Sequence, residues 1–170
     1  MIKRTILALC LAAAPVFVAA PTAHAATGTT SGSCPSGHYP AAVTGTPTTA
    51  KAGMTGMAVW ADRTGWHLRV SEAGPDRAVF TGIISTDGRL RSVRRHDERG
   101  DVKVDLGAHR IVYRFTNYGA VDGIDFVVPC SSFVHFGVAL DRHPLPARRI
   151  VVGHGNHHPA GNPFTIRKVA

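Results

Sequence analysis

The chain has 170 residues, 44% of them apolar, with 18 Gly, 11 Pro, only 18% charged side chains and a formal charge of +8 at neutral pH. Two Glu and four Lys cannot sustain the charged heptads of a coiled coil, and an ordinary apolar content excludes a disordered polyelectrolyte. The length suits a single core.

Lys3 and Arg4 precede an almost uninterrupted apolar run from Ile6 to Ala20, and Ala23-His24-Ala25 has the small-x-small pattern that a signal peptidase needs. Residues 1–25 are therefore read as a cleaved signal peptide. The run is short of the roughly 20 residues that span a bilayer, and no stop-transfer charges follow it. No later stretch is long and apolar enough to span, so the expectation is a secreted, extracellular protein with no transmembrane segment after cleavage. Losing Lys3 and Arg4 leaves 17 basic against 11 acidic residues, a formal charge of +6. Such a surface attracts cell-wall polymers, acidic glycans or lipid headgroups. Export, the lack of any nucleic-acid module and the interspersed Asp residues argue against DNA or RNA.

Cys10 leaves with the signal segment, and Cys34 and Cys130 are expected to pair, as two cysteines in an exported chain most simply do. Residues 26–55, rich in Thr, Ala, Gly, Ser and Pro, read as a flexible arm tethered by Cys34. From Gly56 to the end, short apolar runs alternate with turn residues, with no sustained 3.6-residue period. This predicts an all-β, antiparallel sandwich or flattened barrel of about 8–10 short strands with little helix.

Met57 and Val59, then Trp66, Leu68 and Val70, alternate around a hairpin link at Ala61–Gly65. Ala78 to Ser85 is followed by Thr86-Asp87-Gly88, which as a three-residue hairpin loop sets Ile84 opposite Leu90 and Thr81 opposite Val93. Val102, Val104 and Leu106 alternate next, then Ile111, Tyr113 and Phe115. A six-residue loop from Asn117 to Asp122 would bring Arg114 opposite Asp125 and Tyr113 opposite Phe126, an ion pair that fixes register. Phe133 to Leu140 is apolar on both faces except His135, which suggests a central strand covered on each side. Ile150 to Val152 and Phe164 to Val169 complete the set.

Chemistry-bearing residues are sparse. The loop His154-Gly155-Asn156-His157-His158 offers three imidazoles, a donor set suited to Zn or Cu, with Asp141 and His143 able to approach. The weightier reading of this loop is a polar turn at the sandwich rim. Asp122-Gly123-Ile124-Asp125 lacks the oxygen count of a calcium loop and reads as a turn. No nucleophile elbow, carboxylate pair or phosphate-cradling loop is present, so no catalytic residue is assigned. Arg91, Arg94 and Arg95 lie in the densest basic run, from Arg89 to Arg99, with Arg91 and Arg95 on one strand face. Of the two tryptophans, Trp66 shares the parity of Leu68 and Val70 and belongs to the core. Trp60 is the better candidate for stacking on a sugar ring. The sequence thus points to a non-enzymatic binding or structural protein engaging a polyanion or glycan through Arg91, Arg94, Arg95 and Trp60. The alternatives are a metal-binding protein using His154, His157 and His158, and a small secreted hydrolase.

Overall fold

Period-two alternation becomes strand along most of the chain. A computed structural model describes residues 33–48, 53–99 and 101–170; the expected signal segment 1–25 and parts of the expected arm lie outside the described residues. The strands are β1 (Gly56–Asp62), β2 (Gly65–Ser71), β3 (Ala78–Thr86), β4 (Ser92–His96), β5 (Asp101–Leu106), β6 (Arg110–Asn117), β7 (Val121–Val127), β8 (Phe133–Leu140), β9 (His143–Pro144), β10 (Ile150–Val152) and β11 (Phe164–Arg167). Short 3₁₀ turns cover Ala41–Val43 and Ala147–Arg149.

A five-stranded sheet in the order β10-β1-β2-β7-β4 packs on a six-stranded sheet that contains β11-β8-β3-β6-β5, with β9 beside β8. The result is a β-sandwich, antiparallel except where β1 meets β10. Inward parity assembles one core. In β2 it selects Trp66, Leu68 and Val70, and in β6 Ile111, Tyr113 and Phe115, each 3% exposed or less. Trp66 stacks on Phe126 across the first sheet at 6.3 Å and tilts against Phe136 of the second at 5.7 Å. Each such ring contributes about 1.5–3 kcal/mol through burial, so these rings glue the layers together.

The pairing of neighbours in sequence departs from expectation at two places. Thr86-Asp87-Gly88 is a turn but not a hairpin. The Asp87 carboxylate accepts the backbone N–H groups of Ser132 (2.9 Å) and Phe133 (3.3 Å), together with the Ser132 hydroxyl. A side chain at Gly88 would meet the Cys130 carbonyl at 2.5 Å. The turn is thus fastened to the 130–133 segment, and β4 leaves to pair with β7 in the other sheet. Ile84 lies opposite Ile111 and Phe136, and Thr81 opposite Arg114 and Ala139. The second departure is at Asn117–Asp122, another crossing between sheets. Asn117, wholly buried, donates to Ala120 O (2.8 Å) and to Asp122 (3.0 Å) and accepts Gly119 N–H (2.9 Å). Arg114 therefore faces Thr81 and Lys103, not Asp125.

The expected arm also changes character where it is described. Val43 is 5% exposed, Tyr39 packs edge-on to Trp66 at 4.7 Å, and its hydroxyl meets Ser131 Oγ at 2.6 Å. His38 and Val169 exchange backbone hydrogen bonds of 3.0 and 2.8 Å. Thr/Pro-rich composition hides this, because two apolar side chains and a few backbone bonds suffice to seat the segment. Cys34 and Cys130 are disulfide-bonded, 96 residues apart in sequence. No helix among the described residues is long and apolar enough to cross a membrane.

Candidate functional site

The outer face of the first sheet carries an ionic network where β1, β2, β7 and β4 lie side by side. Registry places Trp60, His67, Asp125 and Arg94 in one row. His67 Nδ1 lies 2.7 Å from Asp125 Oδ1 and its Nε2 3.1 Å from Asp62 Oδ1, so both ring nitrogens are held by carboxylates. Arg69 donates to Asp125 at 2.7 Å and to the carbonyls of Leu68 and Ile124. Burial alone would raise the Asp125 carboxyl, but the bonds from His67 and Arg69 outweigh it and hold it below the usual carboxylate range. The Thr64 hydroxyl, helped by His67 and opposed by slight burial, holds Asp62 down to about 2.

This arrangement is a register lock. With Asp125 17% and Arg69 12% exposed, Asp125→Ala leaves a largely desolvated guanidinium unpaired. The expected loss is about 2–3 kcal/mol, less than for a fully buried pair because water still reaches the group. Both carboxyls titrate lower folded than unfolded. They therefore stabilise above the unfolded carboxylate range near pH 4, and the contribution is lost as pH falls through the folded values, near 2 for Asp62. Urea midpoints between pH 2 and 5 check this, with Asp125→Asn expected to show a shallower acid limb.

Trp60, expected to offer an open ring, is 7% exposed. His67 stacks on it at 4.9 Å and the Arg69 guanidinium sits 5.4 Å from its centroid, so the ring is covered by the network. The arginine run divides. Arg94 turns to the network, 3.4 Å from Asp125. Arg95, opposite Ile124, has the inward parity of Val93 but is exposed because β4 is the sheet edge. Arg91, just ahead of β4, is exposed as well.

The three loop histidines do not converge. His158 Nδ1 donates to Ile150 O at 2.9 Å, the His154 side chain lies against Gly45, and that of His157 lies against Gly155. No group of three metal-ligating side chains occurs among the described residues.

A broad concavity lies on the outer face of the second sheet. β3, β5, β6 and β8 of the second sheet floor a groove of about 1000 Å³, flanked by the β8–β9 turn and by Asn162-Pro163. The outward side chains supply an aliphatic floor at Ile83, Val112 and Ala139, and Gly137 deepens it. Lys103, Arg114 and Arg142 stand around this floor, with Asp105 the one carboxylate lining it. Lys103 also contacts Asp101 at 3.5 Å, but both are exposed and such a pair is weak. His135 Nδ1 is tied to Thr165 Oγ1 at 2.8 Å.

Arg142 is unusual. The two residues of the β8–β9 turn, Asp141 and Arg142, have φ of 47° and 70°. A tight two-residue hairpin needs positive φ at both centres and favours Asn or Asp followed by Gly. Asp141 is clamped, its N–H donating to Val79 O (2.9 Å) and its Oδ1 accepting Val79 N–H (3.0 Å). Arg142 occupies the position where glycine costs nothing.

Sequence reading does not single out Lys103, Arg142 or Gly137, and it assigns Arg114 to a register pair. The available signal is that the outer face of Phe133–Leu140, after Phe133 and His135, narrows to two small residues, Gly137 and Ala139. No protein-family model matches this chain, and no curated protein or solved structure matches it significantly.

Proposed function

We propose that the protein is an exported, non-catalytic binding module whose second-sheet groove holds an anionic amphiphile, an acyl chain bearing a phosphate or carboxylate head. Export rests on the charged start, apolar run and Ala23-His24-Ala25 of the leader. The binding reading rests above all on Arg142, a long cationic side chain kept in the left-handed region at the rim of the groove. Such a conformation costs about 1–2 kcal/mol for a non-glycine residue and persists where something other than stability requires the side chain. An aliphatic floor without an exposed aromatic ring suits an acyl chain better than a sugar face. Lys103, Arg114 and Arg142 supply head-group charge. The volume is at the upper end of the roughly 300–1,000 Å³ typical of small-ligand sites.

The test is a titration with dodecyl phosphate. Arg142→Gly is expected to raise the unfolding free energy by about 1 kcal/mol while weakening binding, two effects of opposite sign that a merely structural arginine would not produce. Gly137→Leu fills the floor. A side chain there begins 3.6 Å from Pro163 Cβ, an ordinary contact; its affinity should drop by at least about tenfold, equivalent to 1.4 kcal/mol, with a thermal melt run alongside to show that the variant is folded. Unchanged binding in both variants would remove the proposal.

A second reading keeps a polyanion at the edge strand, supported by the exposed Arg91 and Arg95. Heparin retention that ignores salt and Arg91→Glu/Arg95→Glu substitution would eliminate it.

A further inference from the structure

A second cavity lies beside the ionic network, on the outer face of the first sheet and away from the groove. It has a volume of about 410 Å³ and sits where the lead-in to β1 meets β2, β7 and the turn before β10. Its wall includes Arg69, Arg148, Arg149 and His158, with Ser71 and Thr55, and no carboxylate lines it. Arg69 is already balanced by Asp125. Arg148 and Arg149 have no carboxylate within salt-bridge distance among the described residues, so the cavity holds uncompensated positive charge.

The chain builds this cluster deliberately. Pro146 starts the 3₁₀ turn, and its carbonyl accepts the Arg149 N–H at 2.8 Å. Ile150 then enters the sheet parallel to β1 with Met57 as its partner. Gly56 permits the approach: a side chain there would meet the Arg149 carbonyl at 2.5 Å. Two consecutive arginines thereby line the cavity. On the same rim, His158 spends Nδ1–H on the Ile150 carbonyl at 2.9 Å, which leaves Nε2 as the ring's remaining polar atom.

We infer that this cavity is an anion site that takes a phosphate or sulfate group, with Arg148 and Arg149 as its principal ligands and His158 beside them. Guanidinium forks match tetrahedral oxyanions through paired N–H donors, which lysine cannot reproduce. The site is independent of the groove: it lies on the other sheet and shares no lining residue with it.

Isothermal titration of the mature chain with sodium phosphate and with sodium sulfate, at ionic strength held constant with chloride, tests the inference. One-site binding of either anion is expected, weakened at least about tenfold, or 1.4 kcal/mol, in Arg148→Gln/Arg149→Gln. Binding that the double variant keeps but Arg142→Gly loses would place the anion in the groove, which overturns this inference while leaving the groove reading intact. Arg148 and Arg149 are exposed, so the double variant should keep the parent's melting temperature. Heats no larger than those of chloride, or undiminished binding in the double variant, would overturn the inference.

Discussion

Replacing Cys34 and Cys130 with Ser is expected to lower the unfolding free energy by about 3–4 kcal/mol. The bridge closes a loop of 96 residues, and the chain-entropy relation gives slightly under 5 kcal/mol for that length, of which engineered and native bridges usually deliver less. The loss has a structural component too. Cys34 anchors the segment that carries Tyr39 onto Trp66 and Ser131, and Cys130 lies beside Gly88 in the turn gripped by Asp87. Urea unfolding of the double Ser variant measures the effect. A shift under about 1 kcal/mol would mean that the 33–48 segment holds its place through packing alone, with the bridge adding little constraint to the unfolded chain.

Gly82→Ala is expected to cost about 3 kcal/mol. Gly82 has ordinary backbone angles, so the reason is space rather than conformation. A methyl group there would collide with the Gly137 carbonyl and the Tyr113 hydroxyl. The Tyr113 ring fills the inner-face volume that Gly82 leaves vacant and donates to Gly137 O at 3.0 Å. It is also stacked on Phe115 at 4.9 Å and 1% exposed, so it has nowhere to move. Burial drives its phenol pKa upward; displacing the ring would strand a neutral hydroxyl without its acceptor. Overpacking of a dense core costs about 1–3 kcal/mol, more when backbone must shift, and the lost hydrogen bond adds about 1 kcal/mol. Thermal melts of Gly82→Ala and Gly137→Ala should separate cleanly. The outer-face glycine accepts a methyl group that the inner-face one refuses.

The strand content was legible because half-buried strands print their geometry as alternation. Trp66, Leu68 and Val70 show the inward set of β2 directly, and the Ala61–Gly65 link reads correctly as a hairpin. Partnership was not legible. Turn residues say where the chain bends, not which sheet it enters next. Asp87 and Asn117 spend their side chains on inter-sheet crossings, yet Asp-Gly and Asn-rich turns also serve hairpins. Asp125 shows the same limit: its need for a cation is apparent, but Arg69 and Arg94 meet it across strands that only the folded sheet brings together.

The groove is not legible in the sequence for a related reason. An apolar outer face on Phe133–Leu140 implies cover by another layer, whereas Gly137 and Ala139 line an open trough. Its cations are spread over β5, β6 and the β8–β9 turn, so no local run of sequence advertises them. Trp60 misled in the opposite sense, since an aromatic residue near a hairpin is conspicuous whether its ring is open or, as here, roofed by Arg69 and His67.

The repeated crossing between layers has a consequence for how the chain reaches this state. β2 waits for β7, β3 waits for β6 and β8, and β1 gains its parallel neighbour only when β10 arrives. Few contacts reward early, short-range closure, so folding should be slow, in the millisecond-to-second regime of sandwiches dominated by distant pairings. A partly emerged chain ending before β7 would hold β2 with an open edge and half an interior. Emergence of the chain and its assembly are therefore ordered events, with the native topology sealed only after the last strands are delivered.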